Sequence, residues 1–189
     1  MDILVERAEG VMTITFNRPE KKNAITSPMY RAMTDALAQA HDDASVRAIL
    51  IRGGAAAFSA GNDLEDFMKS PPTDADAPVL QFLRSISTVD KPVVASVAGV
   101  AIGIGTTLLL HCDIVYAAES AVFSLPFAQL GLCPEAASSL LLPRLCGHQL
   151  AAEKLLLGEP FDADEAHRMG IVNRLLPAAE LEAFAFGQA

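Results

Sequence analysis

An unbroken run without a single charged residue, Val93 to Leu110, occupies 18 consecutive positions of the chain. That length is the lower edge of a membrane-spanning helix. The run even carries the spacing Gly99-xxx-Gly103, a small-residue pattern that packs helices inside bilayers. Its composition points elsewhere. Three glycines and several β-branched residues divide it into a strand, a glycine loop and a helix. Lys91-Pro92 precedes it and His111-Cys112-Asp113 ends it. A buried strand–loop–helix unit fits these residues better than a span, and no membrane is expected as a partner.

The remaining residues set the frame around that unit. A chain of 189 residues suits one domain. Half of it is hydrophobic and only 20% is charged, which excludes a chain disordered throughout. The net charge of −9 argues against a nucleic-acid partner, because phosphate backbones need an excess of Lys and Arg. An anionic small ligand needs only a local basic patch. Three cysteines, Cys112, Cys133 and Cys146, form no CxxC, which fits reduced thiols better than a disulfide framework or a zinc site. The opening MDILVERAEG does not read as a signal or transit peptide. The expectation is a cytoplasmic protein without a metal.

Strands and helices alternate through the first two-thirds, the pattern of an α/β fold. Ile3–Glu6 and Val11–Phe16 flank the turn Ala8-Glu9-Gly10 and read as a hairpin. Ser27-Pro28 reads as N-cap and first position of a helix whose apolar face carries Met29, Met33, Ala36, Leu37 and Ala40. Ala48–Ile51 is a buried strand, and Phe58–Leu64 a loop leading to a short helix. Ser70–Pro78 is the one low-complexity segment and is expected to be exposed. Pro92–Val97 is a strand, Gly103–Leu110 a helix, Asp113–Ala117 and Val122–Ser124 short strands. From Ser138 the chain turns helical, punctuated by Gly147 and Gly158, with a last strand at Ile171–Leu175 and a terminal helix after Pro177.

Several chemistries lack their residues. No GxxxxGK[ST] occurs, Gly103-Ile-Gly105 lacks the third glycine of a dinucleotide fingerprint, and Ser59 is not in GxSxG. The four histidines are scattered and unpaired with cysteine. Two glycine loops remain, Ser59-Ala60-Gly61-Asn62-Asp63 and Ala101-Ile102-Gly103-Ile104-Gly105-Thr106, each after a buried-looking strand. Backbone N–H groups from two such loops can converge on one oxygen as an oxyanion hole. The same glycines equally serve tight turns and packing. The third element is Glu135, the one acid between Ala128 and Leu142. A carboxylate set in apolar chain tends to hold its proton and can shuttle it. It also reads as a helix-capping or exposed loop acid.

Together these segments resemble the crotonase (enoyl-CoA hydratase/isomerase) superfamily. Asn17-Arg18-Pro19…Asn23-Ala24, Phe58-Ser-Ala-Gly-Asn-Asp63-Leu64, Lys91-Pro92…Gly99-Val-Ala-Ile-Gly103 and Cys112-Asp113…Ala117 match in the family's order. Gly131 and Ala166…Gly170-Ile171-Val172-Asn173 fit as well. The resemblance implies a spiral of ββα units and an acyl-CoA thioester substrate, with coenzyme A as part of the substrate and no further cofactor. It implies that the N–H groups of Ala60 and Ile104 hold the thioester oxygen as it becomes an enolate. Ser59, Gly61, Asn62, Asp63, Leu64, Ala24 and Gly103 would border the acyl-pantetheine channel, and Lys21 and Lys22 would meet the nucleotide phosphates. Homotrimers, or dimers of trimers, are the expected assembly.

The acids divide the family. At the positions that resemble the two hydratase glutamates this chain has Thr107 and Phe127. Pro126-Phe127-Ala-Gln-Leu130-Gly131-Leu-Cys-Pro134-Glu135-Ala-Ala-Ser138-Ser139 is instead similar to the peroxisomal-type Δ3,Δ2-enoyl-CoA isomerases, which makes Glu135 the implied base. The alternatives are another crotonase reaction, such as hydration, or a non-catalytic acyl-CoA-binding or structural oligomeric protein. The resemblance covers a single domain over residues 1–189, with a core to about residue 175. The first of the family's C-terminal helices would start over about residues 176–189, and the family's chains usually run on for tens of residues more, so the helical part is expected to be truncated.

Overall fold

The hairpin at the start of the chain anchors the larger of two sheets. The computed structural model describes residues 1–189. β1 (Ile3–Ala8) pairs antiparallel with β2 (Val11–Phe16) from Ile3↔Phe16 to Ala8↔Val11. Glu9 and Gly10 turn between them, both at positive φ, as a tight hairpin with the natural strand twist requires. α1 (Ser27–Asp42) leads to β3 (Ala48–Arg52), which joins β2 in parallel. β4 (Ala57–Ser59) follows, then α2 (Leu64–Lys69) and α3 (Pro78–Thr88). β5 (Val93–Val97), β6 (Val100–Ile102), α4 (Ile104–Thr107), a 3-10 turn over Leu108–His111, β7 (Ile114–Ala118) and β8 (Val122–Ser124) come next. The chain closes with α5 (Ser138–Cys146), α6 (His148–Leu157), β9 (Phe161–Asp162), α7 (Ala163–Arg168), β10 (Arg174–Leu176) and α8 (Ala178–Gln188).

The strands form a six-stranded sheet in the order β1-β2-β3-β5-β7-β10 and a four-stranded sheet in the order β4-β6-β8-β9. After the hairpin, each long strand of the first sheet is followed by a short strand of the second. The chain therefore advances as a screw. The middle of the large sheet is parallel and buried on both faces, so its strands read as continuous apolar runs. Successive residues face opposite layers. Ile49, Ile51, Val93, Ala95 and Val97 pack into the main core with Met29, Met33, Leu37, Phe82 and Ile86 of α1 and α3. Leu50 and Val94 pack on the other face with Leu181 and Ala185 of α8.

The uncharged run becomes β5, β6 and the start of a helical turn, and no helix is long and apolar enough to cross a membrane. Three boundaries differ from the sequence expectation. The N-cap of α1 is Thr26, with Ser27 and Pro28 inside the first turn. The Ser27 hydroxyl and N–H both donate to Asp66 Oδ2, at 2.7 and 2.8 Å, so a carboxylate from α2 does the capping. The Gly103–Leu110 helix keeps α geometry only to Thr107 and tightens to 3-10 through His111. The last strand begins at Arg174, not Ile171, because Asn173 turns its side chain to accept from Val115 N–H at 2.7 Å.

Candidate active site

The two glycine loops meet because two glycines let backbone approach backbone. A Cβ on Gly61, whose φ is +88°, would lie 2.8 Å from the carbonyl oxygen of Ile102. A Cβ on Gly105 would lie 2.7 Å from the carbonyl oxygen of Ser59. No side chain fits at either position, so the end of β4 rests directly on the β6–α4 turn. Their close approach sets the Ala60 loop beside the Ile104 turn. Ile104 opens α4, and an N–H in a first helical turn has no carbonyl a turn earlier to bond within the helix. The Ala60 N–H donates to the carbonyl oxygen of Lys22 at 2.9 Å, so a thioester oxygen reaching it would share that donor with Lys22.

A third segment secures the first loop. Asn23 is buried with φ +56°. Its Nδ2 donates to the carbonyls of Ala57 and Phe58 at 2.8 and 3.2 Å, and its Oδ1 accepts from Arg18 N–H at 2.8 Å. Arg18 in turn pairs with Asp63 Oδ2 at 2.7 Å and donates to the Ala24 carbonyl at 2.9 Å. The Arg18 guanidinium, with the N–H groups of Asp66 and Glu65, holds the Asp63 carboxyl below the usual carboxylate range. Asp63 is thus the N-cap of α2 and a structural ion-pair partner.

Between the loops lies a cavity of about 220 Å³ whose lining is mostly apolar. Ala60, Gly61, Asn62, Ile102, Gly103 and Ile104 form its backbone side. Phe67, Pro126, Phe127 and the leucines Leu64, Leu130 and Leu132 form the rest. Those leucines are 56%, 53% and 41% exposed, so the mouth is greasy where a surface is ordinarily polar. A larger groove of about 420 Å³ lies elsewhere, beside Leu109, Arg144 and Ile171, and holds none of these loops.

Glu135 sits against α4. Its Oε1 accepts from the Thr107 hydroxyl at 2.5 Å. Its Oε2 is buried and makes no hydrogen bond. Burial pushes its pKa up to about 7, although the Thr107 hydrogen bond pulls the other way. An acceptor left free in low dielectric is costly, and it is the form a proton-abstracting base requires. The next two residues, Ala136 and Ala137, both adopt φ +53°. For non-glycine residues that conformation costs about 1–2 kcal/mol each, so the loop is held in shape by its surroundings. Tyr30 stands nearby. Its hydroxyl donates to Asn62 Oδ1 at 2.5 Å, and burial, together with the Glu135 and Asp66 carboxylates, raises its pKa well above the usual phenol range.

Of the residues expected from the sequence, Ala60, Gly61, Asn62, Leu64, Gly103 and Ile104 share the cavity. Others do not. Ser59 is fully buried, its hydroxyl donating to the Asn23 carbonyl and accepting from Gly61 N–H. Its side chain is spent on the turn and does not border the cavity. Asp63 and Ala24 serve Arg18, as above. Lys21 and Lys22 are exposed, make no ion pair, and flank the carbonyl that meets Ala60. Glu135 itself does not line the cavity; it is held one helical turn along from Ile104 by Thr107. Tyr30, Phe67 and Leu132 escaped sequence reasoning, as did the bond from Thr107 to Glu135 and the place of Leu130 at the cavity mouth. The exposed leucines around Gly131 were the one available signal.

Comparison with known proteins separates family from reaction. The model of the family described as enoyl-CoA hydratase/isomerase matches residues 6–188. The chain belongs to the enoyl-CoA hydratase/isomerase family. Among its relatives, the enoyl-CoA delta isomerase 2 of Rattus norvegicus is 40% identical over 186 residues, covering 95% of this chain and 47% of the rat protein. A crystal structure of an enoyl-CoA hydratase/isomerase from Pseudoalteromonas atlantica T6c superposes with a TM-score of 0.96 at 42% identity, over all of this chain and 75% of that one. An enoyl-CoA hydratase from Mycobacterium marinum gives 0.90 at 36% identity, over all of this chain and 90% of that one. The fold is thus the crotonase-like fold of this family, and both reaction names occur among its relatives.

Proposed function

We propose that this chain is an acyl-CoA isomerase that moves a 3-enoyl-CoA double bond to the 2-position. The observation that carries the reading is the single buried carboxyl, Glu135, with one oxygen tied to Thr107 and the other free. Adding water across a double bond takes an acid and a base around that water. Here the two positions resembling hydratase glutamates hold a hydroxyl that binds Glu135 and a phenyl ring that walls the cavity. A double-bond shift takes one base, which returns the proton it removes.

The C2 proton of a 3-enoyl thioester is acidified by both the carbonyl and the alkene. The Glu135 carboxylate takes that proton, and the electron pair spreads over C2, C4 and the thioester oxygen. The N–H groups of Ile104 and Ala60 stabilise the oxygen; the Ile104 donor contributes about 3 kcal/mol where charge develops, and the Ala60 donor, shared with the Lys22 carbonyl, less. Glu135 then gives the proton to C4, leaving the 2-enoyl thioester and a regenerated carboxylate. The apolar leucines and Phe127 suit the acyl chain and keep water from the dienolate. Lys21 and Lys22 supply local positive charge beside the Ala60 loop, where an acidic protein needs it to receive phosphates.

The test is a side-by-side assay of 3-hexenoyl-CoA and 2-hexenoyl-CoA with wild type and Glu135→Gln. Wild type is expected to convert the first to the conjugated thioester and not to hydrate the second. Glu135→Gln is expected to lose about a thousandfold in kcat. A Gln variant with full isomerase activity, or hydration as the faster wild-type reaction, overturns the reading.

A further inference from the structure

The segment after Gly103 carries two side chains that reach the same short loop. Thr107 and His111 are four residues apart on the continuous helical stretch Ile104–His111, Thr107 closing the α-helical turn and His111 the 3-10 turn after it. The Thr107 hydroxyl donates to Glu135 Oε1 at 2.5 Å. His111 Nε2 lies 2.8 Å from the carbonyl oxygen of Ala136. A carbonyl only accepts, so Nε2 carries the hydrogen and the imidazole is a donor here in either charge state. Two adjacent residues of the loop are thus gripped by two residues one turn apart. The gripped residues lead into the left-handed Ala136-Ala137 pair, which needs outside support to keep its shape. Within the loop, Ser138 adds a bond from its hydroxyl to the Glu135 carbonyl at 2.7 Å.

We propose that His111 is a positioning residue: with Thr107 it clamps the Glu135 loop to the segment that carries Ile104, and so fixes where the free carboxylate oxygen points. The inference rests on the isomerase reading for its catalytic consequence, and on geometry alone for the clamp. His111 touches no reacting atom. Its distance from Glu135 in sequence, and its position on a turn that reads as the tail of an ordinary helix, hide it from motif comparison.

Three variants and two readouts test it. His111→Leu removes the donor while keeping bulk. His111→Gln keeps a donor that reaches the Nε2 position. His111→Asn keeps polarity but falls short by one methylene. In Leu and Asn variants, kcat on 3-hexenoyl-CoA is expected to fall about tenfold, the upper range a single lost hydrogen bond supports, with KM within about twofold. Amide deuterium exchange in the peptide 133–140 is expected to quicken by a similar factor, the rest of the chain staying unchanged. Gln restores both. Unchanged exchange in the loop, faster exchange spread over the whole chain, or Gln behaving like Leu overturns the clamp. The Leu and Asn variants check one another, so misfolding of one leaves the comparison intact. If wild type does not isomerise, the functional reading falls, and loop exchange still decides whether His111 holds the loop.

Discussion

The two sheets are built on opposite principles. The six-stranded sheet has five-residue parallel strands at its centre, buried on both faces, with every core side chain supported by many others. The four-stranded sheet has strands of two or three residues. It is kept in place by backbone contacts at Gly61 and Gly105 and by side-chain bonds such as Asn23 to Ala57. The first sheet stores stability redundantly. The second stores position, and the cavity opens at the ends of its strands β4, β6 and β8. Damage to the first should be felt as lost stability with the chemistry intact, and damage to the second as lost chemistry in a chain that still folds.

Three experiments press on that contrast. The largest effect is expected from Ile49→Ala in β3, where a fully buried side chain is cut back. Chemical denaturation should report a loss of about 3 kcal/mol, with kcat below the melting range unchanged. Next is Gly105→Ala at the junction of the loops. Its Cβ must push the Ser59 carbonyl away, and a shift near 1 Å at a site costs about a hundredfold in rate. Steady-state kinetics should show that loss while the denaturation midpoint falls less than for Ile49→Ala. An equal loss of rate in both variants would erase the distinction between the sheets. The smallest is a pH effect confined to the loop side. Glu135 must be ionised to act as base, and burial raises its pKa to about 7. Between pH 6 and pH 8 the ionised fraction, and kcat with it, should rise about tenfold. In Glu135→Gln the residual rate should lose that rise.

The same contrast explains what was legible in the sequence. Long elements announced themselves: the hairpin, the apolar face of α1, the run Ala48–Ile51 and the strand after Pro92 all appear within a residue or two of the expected bounds. β4, β6 and β9 did not: they are too short to display alternation, and unlike β8 they run straight into a glycine loop or a helix. Phe58–Ser59 and Val100–Ile102 read as flanks of glycine turns, and Phe161–Asp162 falls in the stretch after Ser138 that reads as helical. The cavity loops were legible through motif order, since a glycine that admits backbone contact looks like any turn glycine in isolation. Glu135 stood out only as an acid in an apolar stretch. Its bond to Thr107, 28 residues earlier, has no sequence signal, nor does the Tyr30–Asn62 pair 32 residues apart. Ser59 and Asp63 belonged to the matched motif yet serve the turn and the helix cap, because a motif marks a backbone shape as readily as a set of ligands.

The screw-like advance of the chain carries a consequence in time. Asn23 meets Ser59 after 36 residues, Thr106 meets Ser124 after 18, and Thr107 meets Glu135 after 28. These three contacts each join one coil of the screw to the coil made before it; the far face of the large sheet, by contrast, waits for α8 to cover Leu50 and Val94. A polypeptide emerging N-terminus first from the ribosome can therefore dock each turn as it appears. The hairpin comes first, the Ala60 loop next, the Ile104 turn after that. Glu135 arrives last, so the nascent protein brings the Ala60 loop and the Ile104 turn together before Thr107 acquires its carboxylate partner.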